Sequence, residues 1–109
     1  MSAERRRLPR TGGGMVRLVA QHVVIAHVDD RERVCKWLRE VALNEGAEGW
    51  VAPQGEGLEA WFEGPPSAVE GMVIWCRTHD ATAASLLDVS PQRPCLKGGF
   101  DVLDEVPPS

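Results

Sequence analysis

Asp29-Asp30-Arg31-Glu32-Arg33-Val34-Cys35-Lys36-Trp37-Leu38-Arg39-Glu40-Val41-Ala42-Leu43-Asn44-Glu45-Gly46 carries both the start and the stop of an amphipathic helix. Val34, Trp37, Leu38, Val41 and Ala42 recur at i, i+3, i+4, i+7 and i+8, one apolar stripe of the kind that rests on a sheet. Asp29 with Glu32 three residues later has capping-box spacing, with Asp in the cap role. Gly46 stands where a C-terminal glycine ends a helix. Glu32–Lys36 and Lys36–Glu40 are i,i+4 charge pairs for the wet side.

Upstream, a strand-like run extends from Met15 through Val28. Its centre, Leu18-Val19-Ala20 and Val23-Val24-Ile25-Ala26, is rich in β-branched residues, as expected of a central strand. Downstream, Glu48 to Ala52 and Leu58 to Glu63 read as strands around the turn Pro53-Gln54-Gly55-Glu56-Gly57, which makes a hairpin. Gly64-Pro65-Pro66 stops the second of these, and Pro66 suits the first position of a helix. Val69, Met72, Val73 and Cys76 repeat the helical spacing, which dissolves near Thr78-His79-Asp80. Thr82 to Val89 reads as a weakly alternating strand, Ser90 to Gly99 as a loop, and Phe100 to Leu103 as a short last strand or strand extension.

Strand-helix-strand-strand-helix-strand, with one apolar face per helix, predicts an α+β fold. The expected form is a ferredoxin-like βαββαβ sandwich with both helices packed on one face of an antiparallel sheet. At 109 residues there is room for one core. The expected division is a flexible basic segment over residues 1–14, one domain over 15–104 and a flexible tail over 105–109.

Bulk composition narrows the function. Hydrophobic residues make up 43% and charged residues 26%, which is ordinary globular usage. No apolar run reaches the roughly 20 residues of a membrane helix, and no secretory pattern follows the first arginines. The expectation is a cytoplasmic protein with no membrane partner. Of the overall −4 charge, residues 1–14 contribute +3 (four Arg, one Glu), leaving −7 for residues 15–109. A body this acidic repels nucleic acid. Cys35, Cys76 and Cys95 form no metal-binding spacing with His22, His27 or His79, so neither metal nor cofactor is expected. His22 and His27, five positions apart on a strand, would point to opposite faces. Trp37, Trp50, Trp61 and Trp75 suit core and sheet-face packing, or one exposed sheet face that binds a partner.

From Val34 onward the order of signals resembles the acylphosphatase family. Ala42, Gly46 and Gly49-Trp50-Val51 match the end of its first helix and its glycine-tryptophan-valine strand. Glu63-Gly64-Pro65 before a helix ending Trp75-Cys76-Arg77 matches its second half, and Gly99-Phe100-Asp101-Val102 its closing strand. The resemblance covers roughly residues 16–103. It implies hydrolysis of a carboxyl–phosphate anhydride without metal or covalent intermediate. In the family, a glycine-rich loop G-x-V-Q-G-V-x-F-R cradles the phosphate on main-chain N–H groups and an arginine, and an asparagine positions the attacking water.

Aligned without gaps through Gly46 and Trp50, His27 to Cys35 falls over that loop. The two glycine positions hold His27 and Arg31, the glutamine position Asp30, the arginine position Cys35, and the asparagine position Pro53. Asp29, Asp30 and Glu32 would oppose a phosphate, at about 1–4 kcal/mol per close pair near a surface. Cys35 supplies no fixed positive charge, and Pro53 has neither a side-chain amide nor an N–H. Arg31 or Arg33 in a rebuilt loop could take over the anion; Lys36 is set aside, because moving it into the arginine's place would spoil the apolar stripe. Cys35 as a nucleophile near a helix N-terminus is opposed by its acidic neighbours, which leaves a half-buried structural thiol. The expectation is a degenerate acylphosphatase-like domain that binds a protein or small-molecule partner. An active acylphosphatase with a rebuilt loop is the alternative.

Overall fold

The computed structural model describes residues 17–108. The basic segment 1–14 therefore lies outside the described residues, as do Met15, Val16 and Ser109. In chain order the elements are β1 (Val19–Ile25), α1 (Arg31–Glu45), β2 (Glu48–Gln54), β3 (Gly57–Gly64), α2 (Pro66–Thr78), a short 3-10 turn (Ala83–Ser85), β4 (Leu86–Gln92) and β5 (Phe100–Val102). This is the expected ferredoxin-like order.

The strands lie in the order β4-β1-β3-β2-β5. Four of them pair antiparallel, as expected, whereas β5 joins the outer edge of β2 in parallel, making the sheet mixed. The last short run is thus a separate edge strand. Its pairing is fixed by Gly49–Phe100 register and by Gly49 N–H donating to the Gly99 carbonyl at 2.9 Å.

The strand expected from Thr82 begins only at Leu86. Thr82 is almost fully buried, and its hydroxyl donates to the Cys76 carbonyl at 2.8 Å. The N–H groups of Thr82, Ala83 and Ser85 close turns onto His79 and Thr82, so they cannot join a ladder. At its far end β4 runs through Pro91 to Gln92, inside the expected loop. An edge strand tolerates this proline because one row of its N–H positions needs no partner.

One face of the sheet carries the core. Val23 and Ile25 of β1, Val51 of β2 and Leu58, Ala60 and Phe62 of β3 meet Val34, Cys35, Leu38 and Ala42 of α1 and Ala68, Val69, Met72 and Cys76 of α2. Phe62 and Phe100 stack at 6.0 Å. Each large side chain fully buried this way contributes about 1.5–3 kcal/mol. The buried stripe of α1 takes in Cys35, and Trp37 falls at its margin, 36% exposed. Gly46 ends α1 in the left-handed conformation, φ 81°, as expected of its position.

Gly49 allows a close backbone approach at a strongly positive φ. Its φ is 132°, and a Cβ there would sit 1.8 Å from the Trp61 carbonyl oxygen. No other residue type fits. The hairpin closes tightly on Gly55-Glu56, with Gly55 at φ 59° and Gln54 paired to Gly57.

The helix-free face carries one register row. It runs Ser90, His22, Trp61, Trp50 and Asp101 across all five strands.

Candidate functional site: the start of helix α1 and the cavity beside it

The chain leaves β1 at Ile25 and reaches α1 through residues 26–30, held at two points. Ala26 N–H donates to the Ser85 carbonyl at 2.8 Å, and Val28 N–H to the Glu56 carbonyl at 2.9 Å. Val28 is buried and pins the loop to the core, whereas His27, Asp29 and Asp30 are exposed. Neither His27 nor Arg31 has a positive φ; among non-glycine residues described, only Leu96 does. Nothing in this backbone requires glycine.

Asp30, not Asp29, caps the helix. Its Oδ1 accepts from Arg33 N–H at 3.1 Å, its carbonyl accepts from Val34 N–H at 3.1 Å, and its Oδ2 lies 3.5 Å from Arg33 Nε. With Asp30 as cap, Glu32 is the second helical residue, one position short of closing a capping box. Asp29 turns away and meets His27 Nε2 at 2.9 Å. His27 Nδ1 lies 3.3 Å from Glu56 Oε1, so this ring joins the loop to the hairpin turn. Hydrogen bonding to Asp29, and then to Glu56, holds the His27 pKa above its usual 6.5. His27 stands beyond the end of β1, so it does not share the strand's alternation with His22.

The residues singled out from the sequence divide between two cavities. One, of about 410 Å³, brings together Arg31, Glu32, Cys35 and Pro53, with Lys36, Val102, Leu103 and Asp104 completing it. The other, of about 320 Å³, takes Asp29, Asp30 and Arg33 along with His27, Trp37 and Asp80. Cys35 and Pro53 thus face a common space, and Arg33 does not reach it. Arg33 instead lies over the Trp37 ring, 5.9 Å from its centre.

Within the larger cavity the chemical groups are few. The Arg31 guanidinium donates to the Gly55 carbonyl, which ties it to the hairpin turn. Cys35 is 3% exposed; burial pushes its thiol pKa up, against a smaller downward pull from Arg31. A thiol so held stays protonated and is a poor nucleophile. Lys36 also lines the cavity, with the helix in its expected register. Val102, Leu103 and Asp104 reach the site through the parallel pairing of β5, which leaves no local signal in the sequence. Among the described residues no cluster of three or more His, Cys, Asp or Glu side chains could hold a metal ion. No described helix is long and apolar enough to cross a membrane.

No family model matches the chain. An acylphosphatase of Synechococcus sp. (strain JA-2-3B'a(2-13)) is 35% identical over 80 residues, covering 61% of this chain and 83% of the relative. The chain belongs to the acylphosphatase family. Solved structures agree on the fold. The acylphosphatase from Bacillus subtilis superposes with a TM-score of 0.61 at 19% identity, over 80% of this chain and 99% of that one. Full-length HypF, in a phosphate- and nucleotide-bound form, superposes with a TM-score of 0.69 at 14% identity, over 85% of this chain and 13% of its own. An acylphosphatase scaffold here carries a helix α1 capped by Asp30 and a neighbouring cavity lined by Cys35 and Pro53.

Proposed function

We propose that this acylphosphatase-family domain has lost acyl phosphate hydrolysis and serves as a small binding or interaction module. The observation that carries this reading is the capped start of α1. A phosphate cradle needs free, convergent N–H groups at the helix start. Asp30 Oδ1 accepts from the Arg33 N–H and brings a carboxylate to the helix start, where an anion would approach. Hydrolysis also needs a fixed cation on the phosphate and an amide on the water, and Cys35 and Pro53 provide neither. Loss of one such electrostatic donor typically costs about 10²–10³ in rate, so losing both leaves little of the family's chemistry.

The alternative, an active acylphosphatase with a rebuilt loop, draws on Arg31 and Lys36. Both line the cavity that Cys35 and Pro53 share, and together they could meet an anion. Glu32 and Asp104 on the same walls oppose one. Benzoyl phosphate hydrolysis separates the two readings. The expected result is no turnover above the spontaneous rate. Enzymatic turnover that disappears on Arg31→Ala or Lys36→Ala would establish the alternative.

A further inference from the structure

The helix-free face of the sheet carries a groove remote from the α1 start. His22, Trp61 and Trp50 stand side by side on β1, β3 and β2, in one register row. The His22 ring centre lies 6.4 Å from Trp50 and 6.5 Å from Trp61. With Lys97 on the 93–99 loop and Pro107 and Pro108 of the C-terminal tail, these rings border about 470 Å³ of open space. The three rings are only half-buried, so their faces are available to a ligand.

The floor and one wall are built rather than incidental. Glu63 is 4% exposed, yet its carboxylate accepts from Trp61 Nε1 at 2.7 Å, Cys95 N–H at 3.0 Å and Leu96 N–H at 2.8 Å. Burial alone would raise the Glu63 pKa; the three donors outweigh it and hold the carboxyl below its usual range. One ionised group therefore fixes the Trp61 ring and the loop that walls the groove. His22 is steadied by Glu59 at 2.8 Å, which also accepts from the Gln54 amide. Rings held this way give up little freedom on binding.

The chain's own tail indicates what the groove accepts. Val106 and Pro107 are half-buried although they lie beyond the last strand. Pro107 and Trp50 also share a second, smaller cavity of about 150 Å³. Pro108 stays exposed, so the tail occupies an edge of the groove and leaves its centre open. Proline suits such a site: its flat ring stacks on an indole face, and the extended backbone has no internal hydrogen bonds, which frees its carbonyls for donors such as Lys97.

We infer that the Trp50–Trp61–His22 groove is a docking site for an extended, proline-bearing peptide, with the chain's own Val106–Pro108 as a weak occupant in cis. This goes beyond the fate of the α1 cavity and stands whether or not that cavity hydrolyses acyl phosphates. The cis tail competes at the millimolar effective concentration of a short tether, so an outside peptide must displace it.

The test uses the full chain and an uncharged peptide carrying two copies of the tail's own Val-Pro-Pro-Ser sequence. Indole N–H resonances are followed during the titration. The expected result is saturable movement of the Trp50 and Trp61 signals at millimolar peptide, with Trp37 and Trp75 unmoved. Affinity should rise several-fold in the Pro107→Gly/Pro108→Gly chain and vanish in Trp50→Ala. The inference is overturned if the Trp50 and Trp61 indoles stay still in the tail variant. It is equally overturned if a peptide with glycine for proline moves them as strongly. Both readings use the native indoles, so they hold even where Trp50→Ala does not fold.

Discussion

Two groups of positions in this molecule make opposite demands on glycine. In the sheet, Gly49 stays because the fold demands it: φ is 132° and a Cβ would lie 1.8 Å from the Trp61 carbonyl oxygen. In the β1–α1 loop, the positions that the gap-free alignment sets against the family's loop glycines hold His27 and Arg31, neither with a positive φ. The first kind of glycine serves packing and the second serves a ligand. On the proposed reading, a scaffold can lose the second without losing the first.

The difference can be broken by mutation, and the largest effect is expected in the sheet. Gly49→Ala forces a side chain into a backbone carbonyl and a disallowed conformation; about 3 kcal/mol or more of stability should go, measured by urea unfolding. Arg31→Gly, at an exposed helix start, should cost about 1 kcal/mol or less by the same measurement. Equal costs at the two positions would erase the distinction between packing and ligand glycines.

A medium effect is expected at the cap. Asp30→Ala removes the acceptor for Arg33 N–H and should cost about 1 kcal/mol of stability. Asp29→Ala, with its side chain turned to His27, should cost less. The reverse order would return the cap to Asp29.

The smallest effect concerns pH. His27 is exposed and its pKa is raised by Asp29 and Glu56, so the folded state binds its proton more tightly than the unfolded chain does. Its contribution to stability is fully present below the unfolded value of 6.5 and fades as pH rises through the higher folded value. A series of melts from pH 5 to 8 should show this decline, and His27→Gln should flatten it. A decline that survives His27→Gln would assign it to another group.

How much of this was legible depended on how local the deciding interactions are. Helix α1 was readable because its stripe and its Gly46 stop lie within one stretch of chain. Its cap lies one residue beyond the expected one: Asp29 and Glu32 have the spacing of a capping box, but Asp30 reaches Arg33 N–H and shifts the helix start. At the edge of the stripe Cys35 is buried, whereas Trp37 stays 36% exposed. The parallel docking of β5 was not legible, since it depends on Gly49 and Phe100, 51 residues apart in sequence. That docking also brings Val102, Leu103 and Asp104 to the cavity, so three of the eight residues lining it have no local sequence signal. In the sequence Glu63 stands only as a strand end; its role appears when the 93–99 loop folds back onto it.

The central claim is that Asp30 takes up the Arg33 N–H at the start of α1 and sets its carboxylate against an incoming anion. It is tested most directly by titrating inorganic phosphate while following the backbone amides of Asp30 to Cys35. The account predicts small, non-saturating shifts up to tens of millimolar phosphate. Saturable shifts across those amides at millimolar phosphate, abolished by Arg31→Ala or Lys36→Ala, would contradict it.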